Sequence, residues 1–156
     1  MRDLKEPKLY SEPNFNRKFI NAVVQEKIDD TTEIKKESTC KKFYIESYGC
    51  QMNFSDSEIV ASIIKDCGYL STNEIIKADL ILINTCSIRE KAVLTVRKRL
   101  NFFQSIKKTN KNLKVGVLGC MAERLKHKFL EEEKIVDLVV GPDAYKDIPN
   151  LLKEVE

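Results

Sequence analysis

The chain lacks the features of a membrane-spanning, exported or disulfide-stapled protein. No apolar run in its 156 residues approaches the roughly 18 needed to cross a bilayer. The opening MRDLKEPKLYSEPN places charges and prolines where a signal peptide needs an apolar stretch, which argues against export. Five cysteines are an odd number and too sparse for a secreted disulfide framework, so a reducing cytoplasm is the expected setting. There is no CxxC pair, no internal repeat and no low-complexity tract. The single histidine is His127, and a net charge of +3 is too mild to announce nucleic-acid binding by itself.

What is present is an ordinary globular composition, 42% hydrophobic and 33% charged, with enough chain to bury one real core. Residues 1–38 are polar, proline-punctuated and weakly periodic, and are expected to be an extension, largely disordered or draped over the domain. Their charges balance, eight basic against eight acidic over residues 1–40. From Lys41 the pattern changes. Phe43 and Ile45 belong to a strand ending at Gly49-Cys50, and Tyr69 to Ser71 suits a second short one. Ala78 to Thr85 is a nearly continuous apolar run, as for a strand covered on both faces. Leu113 to Leu118 and Val136 to Val140 complete the set.

Helical signals fill the gaps. Ser55-Asp56-Ser57-Glu58 reads as a capping box, followed by Ile59, Val60, Ile63, Ile64 and Cys67 up to Gly68. Ser87-Ile88-Arg89-Glu90 reads as another, followed by a stripe of Val93, Val96, Leu100 and Phe103. Further helices are expected from Met121 to Glu133 and through Leu151-Leu152. Strand alternating with helix predicts an α/β fold: three-layer, Rossmann- or flavodoxin-like, with a mostly parallel sheet of about five strands and helices on both faces. The order 2-1-3-4-5 would set the first, third and fourth strands side by side.

Cys50, Cys86 and Cys120 each stand just beyond such a strand, separated by 35 and 33 residues. Open α/β sheets bind ligands outside the carboxyl ends of their strands. Neighbouring strands lie about 4.8 Å apart, so three strand ends can bring three thiols to one small site. Any one of these cysteines alone is more often a buried structural residue than a ligand; three in one topological position shift the balance. Each precedes a helix start, where unpaired N–H groups and the dipole stabilise thiolate. Cys67, on an apolar stripe, reads as core, and Cys40, before the first strand, as incidental.

A Cys3His zinc site would need His127, which in a helix lies roughly 10 Å along the axis from Cys120. A cysteine nucleophile with a histidine base meets the same obstacle. A [4Fe–4S] cluster is wider and normally takes four thiolates, so three would leave one iron open. Two other readings stay in play. One is a flavodoxin-like module with structural cysteines, binding nucleic acid or protein through the basic segment that contains Arg97-Lys98-Arg99. The other, a phosphoacceptor domain using Asp56 and Asp79, is weakened because Asp56 suits a helix start and Asp79 precedes its strand.

The stretches SYGCQMNFSDSE, ADLILINTCSIREKA, VGVLGCMAERL and VDLVVGPDAYKDIPNLL carry a resemblance. Over residues 41–152 the chain resembles the N-terminal domain of radical S-adenosylmethionine methylthiotransferases. Gln51-Met52-Asn53 and Ser87-Ile88-Arg89-Glu90-Lys91-Ala92 favour the branch that modifies N6-dimethylallyladenosine. The resemblance implies that Cys50, Cys86 and Cys120 bind an auxiliary [4Fe–4S] cluster. It implies a second cluster and S-adenosylmethionine in a radical domain, with methylthiolation of C2 of the adenosine beside the tRNA anticodon. Threonylcarbamoyladenosine or a ribosomal protein are the substrates of sister branches. The radical domain's CxxxCxxC motif does not occur in the 156 residues. The expectation is therefore a piece of a longer enzyme, residues 39–156 forming the cluster-binding domain, a monomer without membrane contact that is inactive alone. Its implied partners are tRNA and its own radical domain.

Overall fold

In the computed structural model, residues 40–49, 51–86, 90–132 and 134–156 are described. The expected extension over residues 1–38, Cys50 and the Ser87-Ile88-Arg89 part of the second capping box lie outside them.

The strands are β1 Lys42–Tyr48, β2 Leu70–Ser71, β3 Leu80–Thr85, β4 Lys114–Leu118 and β5 Leu138–Val140. They form one five-stranded sheet in the order β2-β1-β3-β4-β5. Every pairing is parallel. The helices are α1 Gln51–Asp66, α2 Glu90–Thr109, α3 Cys120–Glu132 and α4 Ile148–Val155. The expected α/β architecture and strand order are both observed.

The layers follow from the period-two alternation of the strands. All six residues of β3 are buried. Ile81 and Ile83 face a core that also holds Val96, Leu100 and Phe103 of α2 and Met121 and Ala122 of α3. Leu80 and Leu82 face the opposite core, with Val60, Ala61 and Ile64 of α1 and Ile148 and Leu152 of α4. One pair of helices thus covers each face of the sheet, as a doubly wound arrangement requires.

Three local readings need correction. Helix α1 begins at Gln51, one turn earlier than the capping box implied. Ser55 sits inside that helix, where its hydroxyl donates back to the Gln51 carbonyl at 3.4 Å, a bond that competes for the helix's own acceptor. Asp56, taken as a helix-start residue, is likewise internal. Cys67 is exposed, beyond the last turn of α1, and does not join the core. Its backbone N–H still bonds Ile63 and Ile64, but the chain is already turning through Gly68, φ +91°, which swings the side chain off the apolar stripe. β5 starts two residues later than the apolar run suggested.

Asp79 precedes β3 and accepts a hydrogen bond from the Lys42 backbone N–H at 2.8 Å. It joins the amino ends of β1 and β3, the side of the sheet opposite the strand-end cysteines. That placement removes it from any phosphoacceptor pair with Asp56.

Candidate metal centre

Register fixes which strand ends meet. Tyr48 of β1 pairs with Thr85 of β3, and Asn84 pairs with Leu118 of β4. Gly49 therefore follows at the level of Cys86, and Gly119-Cys120 continue β4 beside Thr85-Cys86. The glycines report how close these ends come. A Cβ on Gly49, φ +143°, would lie 2.6 Å from the Cys86 Sγ. One on Gly119, φ +93°, would lie 2.5 Å from both the Thr85 carbonyl oxygen and the Asn84 Oδ1. Both positions need a residue with no side chain, for torsion and for space.

Cys86 is half-buried directly after β3, while Cys120 is exposed as the first residue of α3. The residue at 50 lies outside the described set, but its neighbours are in place: Gly49 against the Cys86 sulfur, and Gln51 opening α1. Among the described residues no three metal-ligating side chains already form a group. Donor chemistry nevertheless fits an iron–sulfur group. Two soft thiols stand at adjacent strand ends, one at a helix start, with a glycine keeping the space beside Cys86 clear. His127 is exposed on α3, beyond a break in helical torsion at Leu125, φ −109° and ψ 16°.

Beneath the thiols lies a polar network that sequence reasoning missed. Asn84, 0% exposed on β3, donates through Nδ2 to the Ser57 Oγ at 2.9 Å and to the Asn53 carbonyl at 3.1 Å. Asn53 Nδ2 donates to the Asn84 Oδ1 at 3.2 Å. Ser57 in turn shares a hydrogen bond with Ser47 of β1. These buried amides and hydroxyls satisfy one another and pin the first two turns of α1 to the ends of β1 and β3. The signal was visible in the sequence: Asn84-Thr85 is a polar pair closing an apolar run, just before Cys86.

On the other face, Glu46 of β1 and Arg99 of α2 form a buried ion pair, 5% and 1% exposed. Arg99 Nε donates to the Glu46 Oε2 at 2.8 Å, and the Tyr48 hydroxyl donates to the same oxygen at 2.8 Å. The guanidinium also lies 4.8 Å and 5.2 Å from the ring centroids of Phe102 and Phe103. Arg99 therefore leaves the proposed basic surface, because its carboxylate partner is internal. Lys107 is likewise committed, to Asp137 at 2.6 Å. Arg97 and Lys98 remain exposed.

A doubly wound parallel domain with thiols at the carboxyl edge of its sheet defines the class. The family described as Uncharacterized protein family UPF0004 matches residues 42–141, and the chain belongs to that family. The tRNA-2-methylthio-N(6)-dimethylallyladenosine synthase of Flavobacterium johnsoniae is 69% identical over 124 residues, 80% of this chain and 26% of that protein. The protein of the same name from Amoebophilus asiaticus is 53% identical over 133 residues, 85% of this chain and 27% of that one. The mitochondrial tRNA methylthiotransferase CDK5RAP1 of Rattus norvegicus is 52% identical over 120 residues, 74% of this chain and 20% of that protein. The chain spans about a quarter of the length of the first of these relatives. The family resemblance read from the cysteine motifs is thus upheld. No helix among the described residues is long and apolar enough to cross a membrane.

Proposed function

We propose that this chain is the auxiliary-cluster domain of a tRNA methylthiotransferase, holding a [4Fe–4S] cluster through Cys50, Cys86 and Cys120. The observation that carries the reading is the convergence of strand ends: β1, β3 and β4 are adjacent, in register, and each runs into a cysteine. Relatives named for methylthiolation of N6-dimethylallyladenosine in tRNA support the substrate.

When bound, such a cluster supplies an iron with an open coordination position, suited to carrying sulfur for transfer. The chain's own residues prepare that position. Gly49 and Gly119 keep Cβ atoms out of the space between the strand ends. The N-terminus of α3 favours the ionised form of Cys120. The Asn84 network fixes the turn of α1 that follows Cys50. Three protein ligands instead of four are what leave the iron vacancy. A radical domain with its own cluster and S-adenosylmethionine, acting on C2 of the adenosine in cytoplasmic tRNA, belongs to the longer enzyme in this reading. The chain alone is then inactive.

The substrate is tested by nucleoside analysis of tRNA from cells lacking the full-length gene. Loss of the 2-methylthio group with accumulation of N6-dimethylallyladenosine is the expected result. Unchanged methylthiolation of that nucleoside would overturn the assignment and turn attention to threonylcarbamoyladenosine or a ribosomal protein.

A further inference from the structure

Tyr145 lies in the 3-10 turn Pro142–Asp147, which continues from the carboxyl end of β5. That turn starts beside the third thiol. The Gly119 backbone N–H donates to the Val140 carbonyl at 3.1 Å, and the Glu123 side chain of α3 lies so close over Gly141 that no Cβ would fit there. Tyr145 is only 6% exposed, and its ring packs in the core that contains Val60, Ala61 and Leu118. Its hydroxyl is buried and has no hydrogen-bond partner among the described residues.

An unanswered buried hydroxyl costs about 1–3 kcal/mol. A phenylalanine would fill the same ring space without that penalty. The hydroxyl is also close enough to Asp56 of α1 and to Cys120 to feel their charges, which add to burial in raising its pKa. It therefore lies by the helix starts that follow Cys50 and Cys120.

We propose that the Tyr145 hydroxyl is a hydrogen-bond donor to sulfur on the Cys120 side of the cluster, and so a positioning residue that tunes its reduction potential. This rests on the cluster reading given above. A donor aimed at sulfur stabilises the more negative, reduced cluster, and hydrogen bonds to the sulfurs are among the terms that set the potential. The orphan donor and the helix start of Cys120 are independent features meeting at one place. The same geometry gives Tyr145 no partner while iron is absent and one when it is present.

The test uses the full 156-residue chain, reconstituted anaerobically with iron and sulfide, as wild type and Tyr145→Phe. Iron content, redox titration followed by electron paramagnetic resonance, and urea unfolding of the metal-free forms are measured. Tyr145→Phe is expected to bind as much iron as wild type. Its ratio of reduced to oxidised cluster at a fixed applied potential is expected to fall by about threefold to tenfold, the worth of one hydrogen bond. Metal-free Tyr145→Phe is expected to unfold at the same urea concentration or higher, because an unpaired buried hydroxyl has gone. An unchanged potential and spectrum in a fully loaded variant would overturn the proposal, since a purely structural tyrosine would leave both untouched. Wild type that takes up no iron would instead overturn the cluster reading, and this inference with it; that result is read before any variant is made.

Discussion

Glu46→Ala is expected to lower the free energy of unfolding by about 3–5 kcal/mol, the cost of stranding a buried charge. Arg99 is 1% exposed, and its charge is met by Glu46 across the gap between α2 and β1. Without the carboxylate, a guanidinium that cannot reach water keeps only its contacts with Phe102 and Phe103 as visible compensation. A domain of this size has roughly 5–15 kcal/mol in all, so the loss is a large share of its stability. The consequence reaches the site, because β1 leads to Cys50 and α2 follows Cys86. Urea unfolding followed by circular dichroism measures the effect. The double variant Glu46→Leu, Arg99→Met is expected to recover much of the loss, since replacing a buried pair by apolar groups is often neutral or stabilising. A cost below about 1 kcal/mol for the single change would place the pair with exposed ion pairs and contradict its burial.

Gly119→Ala is expected to remove most cluster binding and to cost about 2–5 kcal/mol in stability. The residue holds φ +93°, a torsion that an alanine adopts only with strain. The added Cβ would also meet the Thr85 carbonyl oxygen at 2.5 Å. That atom belongs to the backbone of a fully buried strand and cannot swing aside as a side-chain tip can. Relief has to come from moving Cys120 away from Cys86, which opens the thiolate set. Iron content after reconstitution and the urea midpoint report the two effects separately. A Gly119→Ala chain with full iron content and wild-type stability would show that the strand ends are not packed as described.

Much of this fold was legible because hydrophobic periodicity and topology rules act together. The continuous apolar run before Cys86 demanded a strand buried on both faces, and β3 is that strand. The alternation of elements then led to the strand order, and the order to the adjacency of β1, β3 and β4. What escaped the reading depended on partners distant in sequence. Arg99 looked like one member of a basic surface cluster because nothing local reveals that Glu46, 53 residues earlier, faces it across the core. Ser55 carried the letters of a helix cap, yet α1 begins one turn earlier, its start pinned by Asn84 from β3. Cys67 matched the helical period, but the helix ends just before it and Gly68 turns the chain away. Tyr145 gave no signal at all in the sequence. Its significance lies in a hydroxyl without a partner, which only three-dimensional structure reveals.

The central claim is that three strand-end thiols form one cluster site, and the iron and acid-labile sulfide content of the anaerobically reconstituted chain tests it most directly. Wild type is measured beside Cys50→Ala, Cys86→Ala and Cys120→Ala, with absorption spectra and circular dichroism on each. The account predicts about four irons per wild-type chain and loss of most of that iron in every single variant, with the fold retained. Folded wild type that takes up no specific iron, or cluster absorbance that survives the triple replacement, would contradict it.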